Sequence, residues 1–311
     1  MDIAFLYPGQ GAQTPGFLSR LPRHAAVDAT LDEASRVLGQ DARSLDSETS
    51  LACTVGVQLS GLVAGVAVTR ALAAEDVVPD AVAGLSSGAF TAAVACGALA
   101  FDDALPLLRL RAELMQQAYP SGYGLAALVG LDEARVNQLV ADIHGPHTPL
   151  YVANLNARTQ IVLAGNDAAL TRAVEAARAA GAYRAHRMAV AVPSHCALMD
   201  AVAQRLAQAL EKIAVQAPRV PYLGNLRARA LRDAQGIRED LANNVAHTVR
   251  WHDAMTALYE RGVRHFFEAP PGATLTGIAR ESFDDVQARS LSDTPLDTVV
   301  YLARRARLPA A

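Results

Sequence analysis

The chain has 311 residues, of which 51% are hydrophobic and 19% charged, and 28 Lys and Arg against 31 Asp and Glu give a formal net charge of −3. That composition excludes a disordered chain, and the lack of a basic run argues against a nucleic-acid partner. The three cysteines, Cys53, Cys96 and Cys196, have no CxxC or Cys/His spacing, so they support neither a disulfide framework nor a metal site and fit a reducing cytoplasm.

In chain order, Ile3 to Tyr7 reads as an apolar strand running into the glycine-rich turn Pro8-Gly9-Gln10-Gly11. The start has no basic n-region and its apolar stretch stops at Pro8, so no signal peptide is expected. The turn fails as a dinucleotide fingerprint, because Thr14 stands where the third glycine belongs, and it has no Gly-Lys-Ser/Thr for a P-loop. It is able instead to present backbone N–H groups as half of an oxyanion hole. Ala81 to Phe101 is uncharged for about 20 residues, enough to span a bilayer. Gly84, Gly88 and Gly97, with Ser86, Ser87 and Thr91 among them, suit a buried strand, a tight turn and a buried helix better, and no membrane partner is expected.

Further strands are expected at Ala81 to Leu85, Val220 to Leu223 and His265 to Glu268, and helices at Asp102 to Gln117, Ala197 to Leu210 and Trp251 to Arg261. Such alternation implies an α/β fold with a largely parallel sheet. Between them lies a different pattern: strand Leu125 to Val129, helix Asp132 to Ile143, strands Leu150 to Leu155 and Gln160 to Ala164, helix Asp167 to Ala180, strand Tyr183 to Met188. The order βαββαβ is ferredoxin-like. The expected organisation is therefore a large α/β-hydrolase-like domain, residues 1–123 and 191–311, with a small ferredoxin-like domain, residues 124–190, inserted into it. The C-terminal ARRARLPAA reads as a basic helix end that frays.

The sharpest local signal is Gly84-Leu85-Ser86-Ser87-Gly88, a G-x-S-x-G between an apolar strand and a small-residue helix. This is the setting of a nucleophile elbow, where a sharp turn exposes a serine hydroxyl at a helix N-terminus. Serine needs a base, and of eight histidines His195, in Val192-Pro193-Ser194-His195-Cys196, lies where a β-like run ends and a helix begins. Local pattern alone does not single it out from structural histidines. Arg111 falls three or four residues from Leu107, Leu108, Leu114 and Met115, inside the apolar stripe of its helix. A guanidinium there must be paired or bind an anion, either a structural carboxylate or the carboxylate of a substrate.

Tyr7-Pro8-Gly9-Gln10-Gly11-Ala12-Gln13, the G-x-S-x-G at Ser86, Arg111 and Pro193-Ser194-His195-Cys196-Ala197-Leu198-Met199 occur in that order. Together with Asn154-Leu155-Asn156, Gln160 to Gly165, Asn244 to Trp251 and Glu268-Ala269-Pro270-Pro271-Gly272, they resemble the malonyl-CoA:acyl-carrier-protein transacylase family over nearly the whole chain. The resemblance implies Ser86 as the nucleophile that carries a malonyl ester and His195 as its base. It implies the backbone N–H groups of Gln10 and Ser87 as the oxyanion hole, and Arg111, with Asn154 and Asn156 from the small domain, as substrate-binding. It further implies that a backbone carbonyl, at Asn244, orients the histidine in place of an aspartate. No tightly bound cofactor is implied; malonyl-CoA is the substrate, and the partner is an acyl-carrier protein with a CoA-derived prosthetic arm.

Members serving fatty-acid synthesis usually have histidine before the nucleophile and leucine after it, where this chain has Leu85 and Ser87. Gly-Leu-Ser-Ser-Gly-Ala looks like the branch serving malonate decarboxylase, its epsilon subunit, which implies the decarboxylase carrier as acceptor and its other subunits as partners. A transacylase of fatty-acid or polyketide synthesis is the near alternative. A serine thioesterase or hydrolase and a non-catalytic carrier-docking subunit are the alternatives of other classes.

Overall fold

A computed structural model describes residues 1–308; the last residues of the expected frayed end, 309–311, lie outside the described residues. Ten strands form two sheets. The larger sheet contains β1 (Ile3–Tyr7), β2 (Ala81–Gly84), β7 (Tyr222–Leu223), β8 (Ala230–Leu231), β9 (His265–Glu268) and β10 (Gln287–Ser290), in the order β10-β9-β1-β2-β7-β8. Every pairing in it is parallel except the β7–β8 hairpin at one edge. The smaller sheet contains β3 (Tyr123–Val129), β4 (Leu150–Ala157), β5 (Gln160–Asn166) and β6 (Arg184–Arg187), in the order β4-β5-β3-β6, all antiparallel.

The central strands β1 and β2 are buried along their whole length, which is why they read as unbroken apolar runs. Their side chains alternate between two layers. Ile3, Phe5, Tyr7 and Val82 pack into the core under helices Ala25–Leu38, Thr54–Ala74 and Phe101–Ala118. Ala4, Leu6, Ala81 and Ala83 pack on the opposite side, with Trp251, Met255, Leu258 and Ile278 from helices Trp251–Glu260 and Thr274–Ser282. The result is a three-layer α/β sandwich, the class expected from the sequence. In the smaller sheet, Ala126, Leu128, Ile161 and Leu163 face a separate core under helices Glu133–Ile143 and Asp167–Ala179.

The uncharged stretch 81–101 resolves into β2, a tight turn and helix Gly88–Ala95, all within the fold. The helix of membrane-spanning length is Thr54–Ala74, 21 residues, and 72% of its apolar window is buried by the layers around it. Several elements differ from expectation, among them the strand expected from Val220, which contracts to Tyr222–Leu223, and Ala230–Leu231, which adds an unexpected strand. Residues Ala197–Met199 form a 3-10 turn before helix Asp200–Leu210, because the chain leaves His195 in a left-handed conformation and must re-enter the helix. The last strand of the smaller sheet contracts to Arg184–Arg187, an edge strand with one partner. Strand β10, with its polar sequence Gln-Ala-Arg-Ser, offers no apolar run, and it forms because it pairs alongside β9.

Two glycines fix the β2 turn by close approach. A Cβ on Gly84 would lie 2.1 Å from the Gly88 carbonyl oxygen, and one on Gly88 would lie 2.1 Å from the Tyr7 carbonyl oxygen. The turn after β2 is thus pressed against the end of β1 at a distance only a hydrogen allows. Gly88→Ala should destabilise the protein by about 3 kcal/mol, the upper part of the overpacking range. A urea melt checks this; a midpoint equal to the parent's would show that the backbones separate at little cost.

Candidate active site

The turn after β2 carries Ser86 at φ +58°, left-handed for a residue with a side chain, at a strain of about 1–3 kcal/mol. Ser87 is the N-cap of helix Gly88–Ala95, so Ser86 sits at the positive end of that helix. Its N–H donates to Asn225 Oδ1 at 3.0 Å. Its Oγ lies 2.8 Å from His195 Nε2 and 3.2 Å from Arg111 Nη2.

His195 reaches the serine from the loop before the Ala197–Met199 turn. It is also left-handed, at φ +66°, and its N–H donates to the Val245 carbonyl. Its Nδ1 lies 2.6 Å from the Asn244 carbonyl oxygen. A carbonyl only accepts, so Nδ1 carries the proton and the Nε2 lone pair faces Ser86 Oγ. Arg111 only donates, so the serine hydroxyl hydrogen is left to point at His195. Burial first, and the Arg111 charge second, lower the His195 pKa from 6.5 to about 3. The imidazole is therefore neutral and able to take a proton at any ordinary pH.

Arg111, on helix Phe101–Ala118, is completely buried, the largest such side chain in the core. Nη1 donates to Gln58 Oε1 at 2.9 Å, and Nη2 to Ser86 Oγ and, at 3.5 Å, to Asn244 Oδ1. Nε has no partner among the described residues. Every acceptor around this cation is neutral, and burial alone lowers its pKa to about 9, which leaves it charged at neutral pH. Of the two readings left open by its apolar stripe, the structural carboxylate is absent among the described residues.

A cleft of about 190 Å³ opens over Ser86 and His195, walled by Gln10 and Leu85 on one side and, on the other, by Asn154, Asn156 and Gln160 of the smaller sheet with Met188 just after its last strand. Asn156 Oδ1 is buried there without a partner among the described residues. The two sheets are joined beside the cleft, where Leu155 N–H donates to the Val249 carbonyl and Val249 N–H to that of Ala153. Gln13 staples the turn after β1: its Oε1 accepts from Gly11 and Ala12 N–H at 2.8 and 3.1 Å, and its Nε2 donates to the Gly9 carbonyl. The N–H groups of Gln10 and Ser87 have no protein acceptor among the described residues.

All eight residues singled out in the sequence meet here. Ser86, His195, Gln10, Asn154 and Asn156 line the cleft, while Ser87, Arg111 and Asn244 stand behind Ser86 and His195. Three more polar residues serve the same centre: Gln58, Gln13 and Asn225. Gln58 had a signal, the one amide in a mainly apolar helix. Asn225 had none, since it lies in a short loop far from Ser86 in sequence. Cys196 beside the histidine is buried, donates to the Pro193 carbonyl at 3.2 Å and has its pKa raised by burial to about 12. Such a thiol is a small apolar group rather than a nucleophile.

A strand–turn–helix serine beside a neutral histidine held by a carbonyl, with two free N–H groups and a buried cation close by, is an arrangement suited to acyl transfer. Comparison with known proteins agrees. Residues 4–304 match the model of the acyl transferase domain family. The malonyl CoA-acyl carrier protein transacylase of Salmonella typhimurium is 36% identical over 298 residues, covering 94% of this chain and 96% of that protein. The solved malonyl CoA-acyl carrier protein transacylase of Coxiella burnetii superposes with a TM-score of 0.94 at 32% identity, covering 99% of this chain and 98% of that one. A malonyl-transacylase solved in complex with its type II PKS acyl-carrier protein gives a TM-score of 0.92 at 34% identity, covering 97% of this chain and all of that one. The chain belongs to the malonyl CoA-acyl carrier protein transacylase family of acyltransferases.

Because the His195 pKa lies far below 6.5, labelling of Ser86 by a fluorophosphonate should hold its rate between about pH 8 and pH 5. An acid limb with a midpoint near 6.5 would mean that the histidine titrates as if in water. Cys196→Ser should label at the parent's rate in the same assay.

Proposed function

We propose that this protein transfers a malonyl group from malonyl-CoA, through an ester on Ser86, to the thiol of an acyl-carrier protein. The observation that carries this reading is Arg111: a fully buried cation, 3.2 Å from Ser86 Oγ, surrounded by neutral acceptors. A neutral acyl group gives such a cation nothing, whereas the free carboxylate of malonyl supplies the missing charge in a forked pair.

In the first half-reaction Ser86 Oγ attacks the thioester carbonyl while His195 Nε2 takes its proton. The oxyanion accepts from the Gln10 and Ser87 N–H groups, and CoA leaves as the thiol with the proton from His195. The second half runs in the other direction. His195 takes the proton of the carrier thiol, the sulfur attacks the ester, and Ser86 leaves with that proton. Asn244 holds the imidazole in one tautomer for both halves. Once acylated, Ser86 no longer offers its hydroxyl, and Arg111 Nη2 with the free Nε turns to the carboxylate. Residues 124–190 serve as the small domain that closes the cleft, Asn154 and Asn156 contacting the acyl group from it. The group on the carrier is its own prosthetic arm, so the enzyme needs no tightly bound cofactor.

The relatives that carry a known acceptor are named for acyl-carrier protein, which favours a carrier of fatty-acid or polyketide synthesis. One observation favours a second acceptor: Leu85 and Ser87 flank Ser86 as in the branch that serves malonate decarboxylase, and its carrier would then replace the acyl-carrier protein. Competition between the two purified carriers for the malonyl-enzyme decides between them. A cytoplasmic setting fits either, with free Cys53, Cys96 and Cys196.

Mixing the protein with malonyl-CoA should give a malonyl adduct by intact mass that Ser86→Ala does not form. Free malonate without an adduct would point to a hydrolase, and full carrier loading by Ser86→Ala to a docking role. Arg111→Ala should slow malonyl transfer by about 100-fold or more, the loss of a charge-assisted pair worth about 3 kcal/mol, and spare acetyl transfer. Equal losses for the two acyl groups would remove the carboxylate clamp.

A further inference from the structure

Asn225 follows β7 by two residues and is 3% exposed, in contact with neither substrate cleft nor solvent. Its amide spans the nucleophile turn from end to end. Oδ1 accepts the Ser86 N–H at 3.0 Å, and Nδ2 donates to the Gly84 carbonyl at 3.0 Å. The carbonyl at one end can only accept and the N–H at the other can only donate, so the amide has a single orientation. Asp240, on helix Ala234–Asn243 and 2% exposed, sits behind it, its Oδ2 at 3.3 Å from Asn225 Nδ2. The same oxygen accepts Tyr222 OH at 2.8 Å, and Oδ1 accepts the Leu226 N–H at 3.1 Å, which fixes the carboxyl group from three sides.

We infer that Asn225, held by Asp240, is the positioning residue of the nucleophile: its amide clamps the turn between Gly84 and Ser86 and so keeps Ser86 in the left-handed conformation that aims Oγ at His195. The inference rests on the reading of Ser86 as an acyl-carrying serine. Two consequences follow from the geometry. Ser86 at φ +58° has an alternative, ordinary conformation, and reaching it would carry Oγ away from its 2.8 Å contact with His195 and its 3.2 Å contact with Arg111. The Ser86 N–H is also already committed to Asn225, so the oxyanion hole draws on the next peptide, at Ser87, whose position depends on the same clamp. Asn225 touches no reacting atom; it acts through Ser86.

The experiment compares the full-length parent, Asn225→Ala and Asn225→Asp by three measurements: thermal melting, the rate of Ser86 labelling by a fluorophosphonate, and kcat and KM for acylation by malonyl-CoA. Asn225→Asp keeps an acceptor for the Ser86 N–H, its second oxygen sharing one proton with Asp240 or the Gly84 carbonyl. In Asn225→Ala both the labelling rate and kcat should fall by about 100-fold, with KM within about twofold, the signature of a misplaced nucleophile with intact substrate binding. Asn225→Asp should recover at least about tenfold of each. Parent-like rates in Asn225→Ala, or a folded Asn225→Asp no faster than the alanine variant, would overturn the inference. If Asn225→Ala does not fold, Asn225→Asp decides: labelling within about tenfold of the parent supports the clamp, and a loss of about 100-fold with unchanged melting overturns it. Should the parent itself take no malonyl group while labelling still falls in Asn225→Ala, the substrate reading fails and the positioning role stands.

Discussion

A guanidinium without a counter-ion among the described residues lies buried beside Ser86, and the active-site architecture is arranged around that charge. Taking such a cation out of water costs several kcal/mol, and an isolated one is ordinarily not tolerated. Here the cost is offset by three neutral oxygens from three distant stretches: Gln58 on the central helix, Ser86 at the turn after β2, and Asn244 before helix Trp251–Glu260. None of them neutralises it. The fold therefore holds Arg111 as a buried cation with only neutral partners, a state that a carboxylate would improve.

The same charge governs the histidine. A cation close to His195 disfavours a second one, and burial acts in the same direction, so the imidazole stays neutral. An aspartate behind His195 would raise its basicity and would also compete for Arg111. A backbone carbonyl at Asn244 orients the ring without adding a negative charge, so the tautomer is fixed while the guanidinium remains free for substrate. The Asn244 side chain takes part as well, since one residue gives its carbonyl to the base and its amide oxygen to the clamp.

Two of the left-handed non-glycine residues, Ser86 and His195, face each other across the site. Each is held through its own main-chain N–H, Ser86 by the Asn225 side-chain oxygen and His195 by the Val245 carbonyl. Those partners lie between β7 and helix Trp251–Glu260, late in the chain, while the serine comes early. The parallel sheet brings them together: β2 lies between β1 and β7, so the turn after β1, the turn after β2 and the loop after β7 all emerge at one edge. Gln10, Ser86 and Asn225 are products of that adjacency.

The sequence by itself determined most of the elements and marked Ser86 and Arg111. Unbroken apolar runs marked β1 and β2 because both faces of a parallel sheet are buried, and the βαββαβ order marked the smaller sheet because helix and strand periods differ. G-x-S-x-G marked the serine because only glycines permit the close approach at Gly84 and Gly88, and an arginine in an apolar stripe marked itself as anomalous. The assignment of His195 and Asn244, by contrast, came from resemblance; nothing in their local pattern distinguished them from a structural histidine and an ordinary loop amide. Only the tertiary structure decided that Arg111 has no carboxylate beside it, that Gln58 and Asn225 belong to the site, and that polar β10 is a strand. Each of these depends on what a residue meets across the fold. A buried polar group is defined by its partner, and a partner more than a hundred residues away leaves no periodicity or spacing in the chain to be read.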